Sequence, residues 1–242
     1  MREFAGKTAV ITGASSGIGR AIALELARHG VSLCLLGRNR ERLEAVAASA
    51  RNVTPKVMPY PMELTSDKEI KNVSKTIIDE FGKIEVLILS AGCIILGKIE
   101  NANIAEFDLQ FKTNVRAPLR LIQTLLPQLK ANMGQIVFMN SSAGVRAAAN
   151  VGYYSATKFA LKGLADSLRD EVNQDGVRVI SVFPGRTATP MQAAVHEMEC
   201  RPYNPEWFLT PEDVASVTVN ALGQPRSAEV TDIFIRPMKK GS

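Results

Sequence analysis

The chain has 242 residues, 46% hydrophobic and 22% charged, with a formal net charge of +5. That length suits one α/β domain or two small ones and is ample for a packed core. The modest positive excess marks solvated surface or an anionic ligand and argues against a nucleic-acid partner, because the densest basic stretch, "GRNRERLE", carries two glutamates and no aromatic platform.

In chain order, "KTAVITG" reads as a buried strand, followed by the helix "SGIGRAIALELARHG", with Ile18, Ile22 and Leu26 on one face and a stop at Gly30. "VSLCLLG" is a second strand and "RERLEAVAASA" a second helix. "KVMPYPME" is a third strand whose two prolines suit an edge. "SDKEIKNVSKTIIDEFG" is a helix with Ser66 as N-cap and Glu69 completing a capping box. Strand four is "IEVLILSAG"; one long helix covers roughly Ile104 to Ala131; strand five is "GQIVFMNSS". The helix that contains Lys158 runs to about Asn173, and "GVRVISVFPG" is strand six. "TPEDVASVTVNAL" is a helix capped by Thr210 with Asp213 at N3, and "EVTDIFIRP" is a last strand. Alternating helices and near-continuous apolar strands predict an α/β fold: a doubly wound, Rossmann-like parallel sheet of about seven strands, covered on both faces, with ligands beyond the strand carboxyl ends. The whole chain, 1–242, is expected to be one dinucleotide-binding catalytic domain.

Cys34, Cys93 and Cys200 are far apart with no CxxC, and His29 and His196 have no partner at ligand spacing, so neither a disulfide framework nor a metal site is expected. Cys93 has no base placed to activate it and reads as an inert thiol. The N-terminal apolar run is too short for a signal-peptide core, and "VLILSAGCIILG" is too short to span a bilayer. A cytoplasmic protein without a membrane partner is the expectation.

"VITGASSGIGRAIA" joins the first strand to the first helix. Gly13, Gly17 and Gly19 leave free N–H groups at a helix N-terminus, where missing Cβ atoms admit a pyrophosphate; the strand–helix context favours dinucleotide binding over a mere tight turn. The spacing resembles the TGxxxGxG turn of the short-chain dehydrogenase/reductase family. The resemblance extends along most of the chain: Ser90-Ala91-Gly92 is similar to that family's NAG, Asn114 in "KTNV" to its helix asparagine, "NSSAG" to its serine strand, Tyr154 to Lys158 to its YxxxK, and "PGRTAT" to its PGxxxT. Ser90 replaces the family's Asn, and Glu63 lies where an Asp contacts the adenine. Both changes are expected to be tolerated, with an effect on cofactor affinity.

Two tyrosines, Tyr153 and Tyr154, precede Lys158. Residues four apart on a helix share a face, whereas residues five apart are about 140° from alignment, so Tyr154 points with Lys158 and Tyr153 does not. Alone, the pair would read as an ordinary Tyr with a Lys one turn on; beside the glycine turn the balance reverses. A nearby ammonium is expected to lower the phenol from its usual value of about 10. The family's spacing selects Ser141 rather than Ser142 as its serine. By resemblance, Tyr154 is the general acid/base, Lys158 tunes it and bonds the nicotinamide ribose, Ser141 holds the substrate oxygen, and Asn114 anchors a water that relays protons from Lys158. Tyr153 is assigned to packing or to the cleft wall.

The resemblance also implies the cofactor contacts: Gly13, Ser15, Ser16, Gly17, Ile18 and Gly19 in the turn; Arg38, Glu63 and Leu64; Ser90, Ala91 and Gly92; Tyr154 and Lys158; and Pro184, Gly185, Thr187 and Thr189. At the end of strand two Gly37 replaces an acid and Arg38 follows. That arrangement favours the 2′-phosphate of NADP, with NAD as the alternative. Met191, Met198, Trp207 and Phe208 fall in an irregular stretch that suits a substrate lid within about 188–210, and equally ordinary packing. The family pairs its two long central helices across a homodimer or a homotetramer. The leading functional expectation is an oxidoreductase acting on a small-molecule carbonyl or alcohol. A 3-oxoacyl-carrier-protein reductase is the narrower alternative, disfavoured because the chain ends "IFIRPMKKGS" without that group's "GG" segment. A non-catalytic nucleotide-bound scaffold is the alternative from another class.

Overall fold

The computed structural model describes residues 4–238. Residues 1–3, and the end 239–242 that entered the comparison with acyl-carrier reductases, lie outside the described residues. Seven strands, β1 (Thr8–Thr12), β2 (Ser32–Gly37), β3 (Val57–Pro61), β4 (Val86–Leu89), β5 (Gln135–Met139), β6 (Arg178–Pro184) and β7 (Asp232–Ile235), form one parallel sheet in the order β3-β2-β1-β4-β5-β6-β7. β1 pairs with β2 on one side and β4 on the other, so Thr12 aligns with both Leu36 and Leu89. The winding reverses there, and a crevice opens beyond the carboxyl ends of β1 and β4.

Eight α-helices connect the strands: α1 (Gly17–Arg28), α2 (Arg40–Arg51), α3 (Asp67–Phe81), α4 (Ile104–Phe111), α5 (Ala117–Ala131), α6 (Gly152–Val172), α7 (Pro190–Met198) and α8 (Pro211–Leu222). Side chains alternate across each strand and split the core in two. Ile11, Leu33, Leu35, Val137 and Val182 pack under α1, α2 and α8. Val10, Cys34, Leu36, Phe138 and Val179 pack under α3, α5 and α6. Both faces are thus dry from β2 across the sheet to β6, which is why those strands read as continuous apolar runs, whereas the edge strands β3 and β7 are only partly covered. β3 is an edge strand, as its Pro59 and Pro61 require, because neither can donate to a further neighbour.

Two local expectations are corrected. The stretch from Ile104 to Ala131 is not one regular helix: a π turn, Lys112–Arg116, separates α4 from α5, and the Ala117 N–H reaches back to the Lys112 carbonyl. The buried Asn114 sits in that turn, and Pro118 follows it by one helical turn. Proline has no N–H, so the α-type bond to the Asn114 carbonyl cannot form. At the start of α3, Ser66 does cap Glu69 N–H at 3.3 Å, but Glu69 spends its carboxylate on the N–H of Glu63 at 2.8 Å rather than closing a capping box. Thr210 and Asp213 of α8 make the full reciprocal box, at 3.1 and 2.8 Å.

Candidate active site

The crevice is a cavity of about 570 Å³, a size that suits a small-molecule site. Its floor is the β1–α1 turn. Gly13 and Gly19 are required there by the protein itself: a Cβ on Gly19 would lie 2.5 Å from the Gly13 carbonyl oxygen, and one on Gly13, at φ +66°, 2.9 Å from Ala91 Cα. The turn therefore folds tightly onto the end of β4. Ser16 occupies the N-cap of α1 without making a side-chain cap, and Ser16 to Gly19 line the cavity, an arrangement suited to an anion.

Thr12, which sequence reading passed over, fixes this corner. Its Oγ1 accepts from the N–H groups of Ser90 and Ala91, each at 3.0 Å, and donates to the Ile88 carbonyl at 3.3 Å. Backbone support at Ser90 thus comes from the threonine of the glycine motif. Glu63 turns inward and accepts from Thr65 N–H at 3.1 Å. Arg38 is exposed at the cavity edge and makes no hydrogen bond or ion pair among the described residues. Asn39 is committed to capping α2, accepting from Arg42 N–H at 2.8 Å. All the cofactor contacts expected from the sequence line this one cavity.

At its other end the cavity holds Ser141, Tyr154 and Lys158. Ser141 follows β5, Tyr154 and Lys158 share a face of α6, and Ser142 is exposed. Lys158 is buried and donates to the Met139 carbonyl at 2.9 Å; its Nζ lies 5.6 Å from the centre of the Tyr154 ring. Burial holds the Lys158 ammonium down to about 8. Burial likewise pushes the Tyr154 phenol up to about 12; the hydrogen bond with Ser141 opposes that rise and the Cys93 thiol adds to it. This corrects the expectation of a lowered phenol: in the protein alone, desolvation outweighs the Ser141 hydrogen bond, and the Lys158 ammonium is turned to a carbonyl.

Asn114 does not line the cavity; it stands behind the wall. Its Oδ1 accepts from Cys93 N–H at 2.8 Å, and its Nδ2 donates to the Cys93 carbonyl at 2.9 Å and to Thr157 Oγ1 at 3.0 Å. Thr157 in turn donates to the Tyr154 carbonyl at 2.8 Å. Both amide hydrogens are thus committed inside the protein. Asn140, also missed in the sequence, ties β5 to α6: its Oδ1 accepts from Ser141 N–H at 2.9 Å and its Nδ2 donates to the Lys158 carbonyl at 3.2 Å. Tyr153 is a packing residue. Its buried hydroxyl donates to the Lys98 carbonyl, beside the Gly97–Val151 bridge, and it does not reach the cavity.

The segment from Arg186 to Leu209 roofs one side. Its base is closed by Ala188 N–H to the Leu209 carbonyl at 2.7 Å and Leu209 N–H to the Arg186 carbonyl at 3.1 Å. Of the four residues singled out there, only Met191 lines the cavity; Phe208 stacks on Tyr203 and against His196. His196, unremarkable in the sequence, is buried at the hub of this segment, 3.2 Å from an Arg186 nitrogen. Arg186 also holds Glu199 through two bonds, 2.8 and 3.0 Å. Cys93 is half-buried on the cavity wall, with its thiol pushed up by burial. Among the described residues no helix is long and apolar enough to cross a membrane.

A family model described as short chain dehydrogenase matches residues 7–200. An uncharacterized oxidoreductase of Staphylococcus epidermidis is 35% identical over 233 residues, 96% of this chain and 97% of that one. Among solved structures, an alcohol dehydrogenase from the archaeon Thermococcus sibiricus, complexed with 5-hydroxy-NADP, is similar with a TM-score of 0.88 and 28% identity over 98% of each chain. The L-sorbose reductase of Gluconobacter frateurii, complexed with NADPH and L-sorbose, is similar with a TM-score of 0.89 and 26% identity, covering 98% of this chain and 97% of that one.

Proposed function

The chain belongs to the short-chain dehydrogenase family, and on that footing we propose that it is an NADP-dependent oxidoreductase that interconverts a carbonyl and an alcohol, with Tyr154 as the general acid. The observation that carries this reading is the convergence of Tyr154, Ser141 and Lys158 on the cavity whose far end is the glycine turn. The residues present fit a dinucleotide: the α1 N-terminus would hold the pyrophosphate, and Arg38, with Gly37 in place of an acid, would pair with a 2′-phosphate. The NADP-bound relatives support that choice. Bound NADPH supplies a hydride to the carbonyl carbon.

The protein's own groups handle the oxygen and the proton. Ser141 and Tyr154 both hydrogen-bond the substrate oxygen, which places the carbonyl and stabilises the charge that develops on it. A phenol held near about 12 is fully protonated at neutral pH and so stands ready to donate as the oxygen becomes basic. Lys158 would support the resulting phenolate and hold the ribose of the bound dinucleotide. Asn114 holds the wall through Cys93 and Thr157; a relaying water belongs on its main-chain carbonyl, which Pro118 leaves without an α-helical partner. The segment 188–210 serves as the substrate lid of a single catalytic domain. The three cysteines are free, which suits a reducing cytoplasm.

The test is consumption of NADPH or NADH with a panel of aldehydes, ketones and 3-oxoacyl carrier thioesters, beside the Tyr154→Phe variant. Turnover of simple carbonyls that Tyr154→Phe abolishes is the expected result. Turnover of the carrier thioester alone favours the narrower reductase. No turnover of any carbonyl or alcohol with either cofactor overturns the reading.

A further inference from the structure

Arg146 lies on the cavity wall between Ser141 and Tyr154 in the chain, on a segment anchored at both ends. At one end Asn140 binds Ser141, and Gly144 is packed so closely that a Cβ would lie 2.4 Å from Asn140 Oδ1. The N–H of Arg146 itself donates to the Ser142 carbonyl at 3.2 Å. At the other end Val151 bridges Gly97, and α6 begins. The base of this arginine is therefore set by the same backbone that sets Ser141 and Tyr154.

Its charge is uncompensated. Arg146 is exposed and has no ion pair or side-chain hydrogen bond among the described residues. Of the other cations lining the cavity, Arg186 is bound to Glu199, Lys158 donates to the Met139 carbonyl, and Arg38 is the one already assigned to the cofactor. The cavity that Arg146 lines has apolar wall residues as well, Ile94, Leu96, Leu109, Ala148 and Val151 among them. An apolar wall with one spare cation selects a ligand that is apolar over most of its length and carries one negative group. A lone guanidinium fork matches a single carboxylate through two parallel bonds, and the one charge of a carboxylate balances its own.

We propose that Arg146 is a specificity-determining residue that receives the carboxylate of an oxo acid, or of the corresponding hydroxy acid, whose carbonyl carbon lies at Ser141 and Tyr154. The inference rests on the oxidoreductase reading above and names its substrate class. Because Arg146 is solvent-accessible, its contribution to discrimination is about tenfold rather than the larger factor of a buried pair.

The experiment measures kcat/KM with NADPH for a series of straight-chain 3-, 4-, 5- and 6-oxo acids and their methyl esters, with butane-2,3-dione as a neutral control. Wild type, Arg146→Met and Arg146→Lys are compared. At least one acid is expected to exceed its own ester by about tenfold in the wild type, and the acid-to-ester ratio falls to about one in Arg146→Met. Arg146→Lys retains part of the ratio, and added salt lowers it in the wild type. Esters used as well as acids throughout the series, with the control turned over, overturn the assignment of Arg146 and leave the oxidoreductase reading standing. An acid preference that survives Arg146→Met overturns it equally. Absence of turnover with every compound, the control included, overturns the oxidoreductase reading and this inference with it.

Discussion

The side-chain amide of Asn114 pairs with both main-chain polar groups of Cys93, at 2.8 and 2.9 Å, and so ties the π turn between α4 and α5 to the strand-end loop that walls the cavity. Asn114→Asp keeps the shape but removes the hydrogens that reach the Cys93 carbonyl and Thr157. Leaving those buried acceptors unpaired is expected to cost about 1–3 kcal/mol. Urea denaturation checks this through a lowered midpoint at unchanged slope. An unchanged midpoint would show that the pairing carries no stability.

The two tyrosines are expected to separate by function. Tyr154→Phe is expected to lower kcat by about 10²-fold or more, because the proton donor is gone. Tyr153→Phe removes only the bond to the Lys98 carbonyl and is expected to cost about 1 kcal/mol of stability with most of kcat retained. Steady-state kinetics of the two variants decide it; an inactive Tyr153→Phe beside an active Tyr154→Phe would reverse the assignment.

Lys158 gives the cofactor-free protein a distinctive pH dependence. Its folded value, about 8, lies below the ordinary lysine value. Between the two the unfolded chain holds the extra proton, so stability rises with pH; below the folded value the full cost of burying the ammonium is present. The slope approaches about 1.4 kcal/mol per pH unit. The difference in unfolding free energy between wild type and Lys158→Met, measured from about pH 7 to about pH 10, is expected to rise in this sense. A flat difference would place the lysine in water-like surroundings.

Cofactor choice is expected to follow Arg38. Arg38→Ala should lower kcat/KM for NADPH by about ten- to a hundredfold against a fixed carbonyl substrate, with NADH little affected. The backbone at Gly37 accepts a side chain: a Cβ there meets Leu43 at 3.4 Å and Ser15 Oγ at 3.5 Å, ordinary contacts. Gly37→Asp with Arg38→Ala is therefore expected to reverse the preference, since the acid repels the phosphate and accepts from a free ribose. Equal wild-type values for the two cofactors would mean that Arg38 is only solvated surface.

Assembly is expected to follow the apolar side chains left on the central helices. Ile104 is 67% exposed, Leu109 48%, Phe111 40% and Phe159 46%, on α4 and α6. Covering such faces favours a closed symmetric homodimer, or a tetramer of dimers. Light scattering at micromolar concentration checks this, and a monomer mass would count against it.

The sequence carried the sheet plainly because dry strands leave long apolar runs, and it carried the glycine turn and the Tyr154–Lys158 pair because each is a local spacing. What it hid is relational. Thr12 could be read as one more strand residue, although its hydroxyl clamps β4. His196 pairs with Gln192 one turn before it, but its bond to Arg186 and its contacts with Tyr203 and Phe208 come only from the folding of this segment. The phenol's shift went the opposite way from expectation because burial is a property of the packed site and not of the four-residue spacing. The π turn was foreshadowed by one mark alone, Pro118 one turn after a buried asparagine.

A π turn is an α-helix that carries one surplus residue. Seen so, the stretch from Ile104 to Ala131 is a single helix into which one amino acid has been inserted near Asn114. Deleting Thr113 would remove the surplus residue, turning α4 by about 100° against α5 and drawing it in by about 1.5 Å, while the Asn114 carbonyl would still face the proline that cannot donate to it. Gln110, which holds the Ile95 backbone at 3.0 and 3.3 Å, would leave its partner. The defect is thus a gear tooth: it keeps the cavity wall in phase with the helix that supports it, and a chain one residue shorter at this point would slip that wall out of register.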